Sequence, residues 1–130
     1  MDEAKEKVEY LIECYSQKSG PQVYAILLKD GTYIGHVQAV FMVDGSWEIG
    51  YHVGYKHTGK GYASEAVKAF LPVIMKRLGI TEMKGICALD NLSSMRVMEK
   101  NGFIPSTRLL DQKVKNYVYY LSPLDRAVLL

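Results

Sequence analysis

Residues 54–63 read Gly-Tyr-Lys-His-Thr-Gly-Lys-Gly-Tyr-Ala, a loop carrying Gly54, Gly59 and Gly61 together with Lys56 and Lys60. The chemistry such a run offers is anion binding. Glycine lets a backbone approach a ligand closely and adopt positive φ. A helix that starts at its end presents amides with no internal acceptor and the positive end of its dipole. Lys60, helped by Lys56, adds full charge, so a phosphate or pyrophosphate is the natural guest. Three readings fit the loop. It could be a plain strand-to-helix turn. It could be a nucleotide P-loop, since Gly54-x4-Gly59-Lys60 matches G-x-x-x-x-G-K, but Gly61 stands where a Ser or Thr must meet magnesium. It could be a pyrophosphate loop of the form [Gln/Arg]-x-x-G-x-[G/A], met by Lys56-x-x-Gly59-x-Gly61 with Lys in the first place.

Other chemistries are poorly served. His36, His52 and His57 lack metal-ligand spacing, and Cys14 and Cys87 form neither a Cys-x-x-Cys pair nor a disulfide framework. No metal is expected, and both thiols are expected free in a reducing cytosol. A chain of 130 residues that is 48% apolar suits one domain, 1–130, with one core, and excludes a disordered tail or collagen-like repeat. The net charge of +2 gives no basic excess for nucleic acid. Apolar runs fall far short of the roughly 20 residues of a membrane span, and no secretory signal opens the chain.

The loop must be held by its neighbours. Asp2 to Gln17 places Val8, Leu11, Ile12 and Tyr15 at helical spacing and predicts an amphipathic helix ended by Gly20-Pro21. Val23–Leu28, Tyr33–Val43 and Trp47–Val53 predict three strands, joined by Asp30-Gly31 and Asp44-Gly45 as tight turns of an antiparallel meander. Tyr62–Leu78 predicts a helix of about four turns with Gly79 as C-cap, kinked but not broken at Pro72. Met83–Leu89 predicts a strand, Leu92–Asn101 a short helix capped by Asn91 and ended by Gly102, and Phe103–Leu110 with Asn116–Leu121 a last hairpin. The order α-βββ-α-β-α-ββ places a strand–helix–strand unit after a meander. That demands one parallel pair in an otherwise antiparallel sheet, hence an α+β chain with a mixed sheet.

The stretch Trp47–Phe103 resembles the GNAT superfamily of acetyl-CoA-dependent N-acetyltransferases, most of all the branch of ribosomal-protein N-terminal acetyltransferases. The matching motifs are Glu48-Ile-Gly-Tyr51, Gly59-Lys-Gly-Tyr-Ala63 followed by Glu65-Ala66, Asn91-x-x-Ser94, and Glu99-Lys-x-Gly-Phe103. The resemblance implies a three-layer α/β/α fold whose central parallel strands, Trp47–Val53 and Met83–Leu89, splay to admit acetyl-CoA. Its pantetheine arm would bond to the backbone of Tyr51, His52 and Val53, where an N–H could also serve as oxyanion donor. The pyrophosphate would rest on the amides of Thr58, Gly59, Lys60, Gly61, Tyr62 and Ala63. Asn91 would orient the cofactor's amides or a water, and Lys100 or a loop lysine would meet the remaining phosphate. The acceptor would be a peptide or small-molecule amine, ammonium at neutral pH, which must lose a proton before attack. Glu48 is the candidate base. By alternation Glu48, Gly50 and His52 share one strand face, with Trp47, Ile49 and Tyr51 on the core face, so Glu48 and His52 are expected to look into the cleft.

Departures from the family pattern sharpen these expectations. Met98 stands where many members carry an acidic Tyr, and the resemblance to the ribosomal-protein branch implies that Ser94, at the Asn-x-x-Ser position, contacts the departing sulfur. Gly54-Tyr55 replaces a common proline. Members usually begin with an extra strand and helix ahead of the segment corresponding to Asp2–Gln17, elements that often shape the acceptor site; their expected lack here fits a truncated form, a naturally short version or one completed by a partner chain. The apolar tail Leu124–Leu130 suggests a homodimer. A non-catalytic CoA-binding module is the competing expectation.

Overall fold

The computed structural model describes residues 8–15, 20–106 and 114–121. The meander forms as its turns dictate: β2 (Gln22–Leu28), β3 (Tyr33–Phe41) and β4 (Trp47–Val53) pair antiparallel in sequence. Asp30 and Asp44 fix the two turns by accepting from the backbone N–H of Thr32 at 2.9 Å and Ser46 at 3.0 Å. These Asx turns leave Gly31 and Gly45 at φ 89° and 88°, where a side chain would be strained. The strand expected to run to Val43 stops at Phe41, because Met42 already bonds Ser46 and Gly45 across the turn.

The predicted N-terminal helix is corrected: Val8–Tyr15 is strand β1, antiparallel to β2 from Val8 opposite Leu28 to Tyr15 opposite Val23. The apolar spacing fits a helix, but Val8, Tyr10, Ile12 and Tyr15 also favour a strand. The open edge of β2 decides, because its backbone groups need partners. Arg77 ties β1 to the end of the long helix by donating to Glu13 at 2.7 Å and to the Tyr24 hydroxyl at 2.7 Å. The strand and helix expected to be lacking would lie ahead of Asp2–Gln17, outside the described residues.

Helix α1 (Tyr62–Leu78) is continuous through Pro72, which faces solvent. Its inner face, Tyr62, Ala66, Val67, Phe70, Leu71, Ile74 and Met75, is buried at helical spacing. Each large side chain there contributes about 1.5–3 kcal/mol of apolar burial. Gly79 at φ 68° closes the helix, and the Ile80 N–H returns to Met75 O at 3.0 Å. Strand β5 (Glu82–Ala88) follows, then α2 (Leu92–Lys100), β6 (Ile104–Pro105) and β7 (Val114–Tyr120). The expected strand Phe103–Leu110 shrinks to Ile104–Pro105 in β6, and 107–113 and the 124–130 tail lie outside the described residues.

The seven described strands run β1-β2-β3-β4-β5-β7-β6, with β4 and β5 the parallel pair. Of the three layers expected, the described residues supply the sheet and one helical face. Both helices pack there, over Val37, Ala39, Trp47, Ile49, Met83 and Tyr117. Gly85 on β5 is needed because a Cβ there would lie 2.7 Å from the Met98 sulfur of α2.

Candidate active site

Strand β4 is paired along its whole length on one side and almost not at all on the other. Seven consecutive partners join it to β3, whereas its parallel register with β5 is the single pair Glu48 opposite Lys84. Beyond that pair the strands part, and the C-terminal half of β4 faces a gap.

On the helix side of the gap lies a cleft of about 430 Å³. Its walls are Tyr51, His52 and Val53 from β4, His57, Thr58, Gly59 and Gly61 from the loop, Tyr62, Ala63 and Ser64 from α1, and Asn91, Ser93, Ser94, Arg96, Val97 and Lys100 around α2. Nearly every residue expected to hold the cofactor is therefore in one place. Lys60 is the exception: it is exposed and outside the wall.

The loop has one element the sequence did not announce, a 3₁₀ turn at Tyr55–His57 closed by His57 N–H to Gly54 O at 2.8 Å. Gly59 and Gly61 then take φ 77° and 84°, and a Cβ at either would meet nothing within 4 Å. These glycines serve backbone direction, not packing. The first i→i−4 bond of α1 is Glu65 N–H to Gly61 O at 3.0 Å, and no side chain caps the helix. The amides of Ala63 and Ser64 thus have no acceptor within the helix. His57 Nδ1 is buried at the cleft without a hydrogen-bond partner. An unsatisfied buried nitrogen is costly in isolation, and as Nδ1–H it would donate to a phosphate oxygen. The cleft therefore fits a ligand with linked phosphates. Arg96 and Lys100, one turn apart on α2, put two cations on the same wall. That i, i+4 spacing was present in the sequence and would have found Arg96.

At the inner end of the cleft, Asn91 caps α2 by accepting from Ser94 N–H at 3.0 Å. The Ser94 hydroxyl lies 2.6 Å from the Tyr51 hydroxyl, which also approaches Ser94 O at 3.2 Å. Tyr51 was expected to act through its backbone; its side chain crosses the gap to α2. Burial pushes the Tyr51 phenol above its ordinary value, with the Ser94 hydrogen bond opposing. Cys87, buried on β5, is likewise pushed up by burial, with Ser94 opposing, so it stays a thiol. Behind them the Tyr117 hydroxyl donates to Glu99 at 3.2 Å, and burial together with that carboxylate raises its pKa to about 12.

The opposite face of the sheet holds a second cleft, of about 420 Å³, between Asp44, Glu48, Lys84, Ile86, Asn116 and Tyr120. Glu48 belongs here and not to the helix-side cleft. Burial raises its pKa, Asp44 raises it further, and Lys84 works against both. Lys84 is engaged by Asp44 at 3.3 Å. His52 turns its ring to this face too, where it pairs across the strands with His36 at 5.9 Å and is exposed. So β4 presents backbone and Tyr51 to one cleft and Glu48 to the other. No group of three or more potential metal ligands occurs among the described residues.

A mixed sheet with one parting parallel pair, glycine-entered α1 and amide-lined cleft define an acyl-CoA-type transferase fold, and the comparisons agree. Residues 1–104 match the acetyltransferase (GNAT) domain family, and the chain belongs to it. It is similar to an uncharacterized N-acetyltransferase, YnaD, of Bacillus subtilis, 32% identical over 61% of this chain and 48% of that protein. It also resembles an uncharacterized N-acetyltransferase, p20, of Bacillus licheniformis, 29% identical over 79% of this chain and 62% of that protein. The chain spans about half the length of several of these curated relatives. A GNAT-family acetyltransferase of Bacillus anthracis superposes with TM-score 0.64 at 25% identity, covering 75% of this chain and 65% of that one. The spermidine N-acetyltransferase of Vibrio cholerae, solved with CoA and spermine, superposes with TM-score 0.70 at 18% identity, covering 80% and 68%; this likeness is one of fold.

Proposed function

We propose that residues 1–130 form a single N-acetyltransferase domain that moves an acetyl group from acetyl-CoA to a primary amine by direct transfer. The observation that carries the reading is the pair of clefts on opposite faces of the sheet, one beside the C-terminal half of β4 where it parts from β5, the other around the Glu48–Lys84 pair. One cleft suits the coenzyme and the other the acceptor.

Acetyl-CoA would supply an activated acetyl thioester. Its phosphates fit the amides of the Gly59–Ser64 turn, His57, Arg96 and Lys100. The unpaired edge of β4 at Tyr51–Val53 suits an extended arm with amide groups of its own. On the far face, Glu48 takes the ammonium proton, directly or through water, and its raised pKa brings it nearer to the neutral range where a base works best. A β4 N–H stabilises the developing negative charge on the carbonyl oxygen. The C–N bond forms as the C–S bond breaks and its electron pair leaves with sulfur, the second proton of the attacking nitrogen passes to solvent, and Ser94 donates a hydrogen bond to the departing sulfur. Burial pushes the Cys87 thiol up and makes it a poor nucleophile, which favours direct transfer over an acyl-cysteine route.

The far-face cleft brings Asp44, Glu48 and Glu82 around one Lys84. That excess of negative charge favours an alkyl ammonium acceptor over a neutral arylamine. The motifs shared with ribosomal-protein acetyltransferases keep a peptide N-terminus among the candidates, and the spermidine enzymes suggest a polyamine. A cytosolic location suits both the coenzyme and a free buried thiol.

The test is calorimetric titration with acetyl-CoA, then an amine panel of spermidine, peptide N-termini and amino acids read by mass spectrometry. Saturable binding and a +acetyl product on at least one amine are expected. Binding without transfer to any amine would leave a CoA-binding module instead.

A further inference from the structure

Resting on that reading, we infer that Tyr51 is a positioning residue for the leaving group: its phenol sets the Ser94 hydroxyl so that Ser94 can donate to the departing thiolate. The geometry that carries this is the Tyr51–Ser94 contact across the gap between β4 and α2. The two hydroxyls are 2.6 Å apart, and the Tyr51 hydroxyl is also 3.2 Å from Ser94 O. Tyr51 has one proton and two acceptors within reach. When it donates to Ser94 O, the Ser94 hydroxyl must donate to Tyr51, and its proton is turned away from the cleft. When it donates to the Ser94 hydroxyl oxygen, the Ser94 proton is released from Tyr51 and can turn into the cleft or toward the Cys87 sulfur, which Ser94 also meets. Rotation of two O–H bonds therefore switches the donor on without moving a heavy atom.

The neighbouring residues favour this role. Met98, buried at 1% exposure, leaves α2 with no hydroxyl of its own facing β5 at that position. Asn91 fixes the backbone of Ser94 from the other side, so the only freedom left to Ser94 is its side chain. Burial keeps the Tyr51 phenol protonated through the neutral range, so it remains a donor whenever the reaction runs. Proton and electron bookkeeping is simple: the C–S pair leaves with sulfur, Ser94 offers a hydrogen bond to it, and Tyr51 keeps its proton. The thiolate is protonated by solvent on release.

The test reads the thiol of bound CoA, which needs no acceptor. Titration of the thiolate ultraviolet band, with coenzyme-free protein subtracted, gives the pKa of the bound thiol. It is expected below that of free CoA in the native chain, and raised toward it in Tyr51→Phe and in Ser94→Ala. The double variant is expected to match Ser94→Ala alone, because Tyr51 acts only through Ser94. With an acceptor in hand, Tyr51→Phe should lower kcat about 10-fold, the worth of one hydrogen bond, with KM for acetyl-CoA unchanged. CoA binding with the same thiol pKa in native and Tyr51→Phe protein overturns this inference alone. So does a Tyr51→Phe shift that persists in full on Ser94→Ala, which would mark a packing effect. Failure to bind CoA overturns the proposed function as well.

Discussion

Replacing Glu48 by Gln keeps the shape of the side chain and removes its ability to take a proton. If Glu48 is the base, kcat at pH 7 should fall by about 10²–10⁴, or about 2.7–5.4 kcal/mol of barrier at 1.36 kcal/mol per decade. The affinity for acetyl-CoA should stay the same, since Glu48 lies in the far-face cleft and outside the wall of the coenzyme cleft. The pH profile adds a sign. The pKa of Glu48 is raised above 4.5, first by burial and then by Asp44. Native turnover should therefore fall as pH drops through that raised value, and the variant should lose this acid limb. Stability must move the other way. A carboxyl with a raised folded pKa binds its proton more tightly folded than unfolded. Its contribution is then greatest below the unfolded pKa and is lost as pH rises toward the folded pKa. Gln carries no such penalty, so Glu48→Gln should melt at or above the native temperature at pH 7, and the difference should vanish below pH 4.5. Steady-state kinetics by thiol release and calorimetric melting across pH 4–9 check both. Native turnover in Glu48→Gln, or a clearly lower melting temperature at pH 7, would show that Glu48 is only the structural partner of Lys84.

Three more outcomes are expected. Arg96→Ala and Lys100→Ala should each raise the Kd for acetyl-CoA about 1.5- to 5-fold at low salt, the scale of an exposed ionic contact, and less at high salt; calorimetry at two ionic strengths decides. Gly61→Ala has open space but a φ of 84°, so it should cost about 1–2 kcal/mol of stability and weaken coenzyme binding by redirecting the loop amides. Gly35→Ala is a harsher change, because a Cβ there would overlap the His52 carbonyl oxygen of β4; about 3 kcal/mol or more should be lost in denaturant unfolding.

How much of this was legible in the sequence depended on how local the deciding physics is. Helix α1 was readable to the residue because its apolar stripe and its two flanking glycines are both short-range signals. The place of the glycine turn at the entry to α1 was readable for the same reason. Segment 8–15 was not: Val8, Leu11, Ile12 and Tyr15 satisfy a helix as well as a strand, and the choice rests on β2, whose open edge lies a dozen residues on. The placement of Glu48 was half legible. Alternation along β4 put it on the face away from Trp47 and Ile49, as found. That this face has a separate cleft depends on Asp44, Lys84, Asn116 and Tyr120, which come from a turn and two later strands. The reach of Tyr51 to Ser94 spans 43 residues of sequence, and no spacing rule connects them.

The sheet itself is what makes the two-cleft arrangement chemically sensible. A single pairing, Glu48 with Lys84, closes the gap at one end, while the other end stays open between Tyr51–Val53 and α2. A thioester entering from the helix side meets backbone amides and the Ser94 hydroxyl. A cation approaching from the far side meets Glu48 and Asp44. Under the proposed function the two reactants would meet at the gap, and the strands would set their approach. Such positioning is worth more than any single proton donor, up to about 7–11 kcal/mol when geometry is well held. That is why replacing an acidic Tyr by Met98 on α2 does not remove the case for an enzyme. Met98 fills the space under Gly85 that keeps β5 and α2 together. On the proposed reading, a gap with the Ser94 hydroxyl on one side and the Glu48 carboxylate on the other would supply the groups that acetyl transfer to an amine needs.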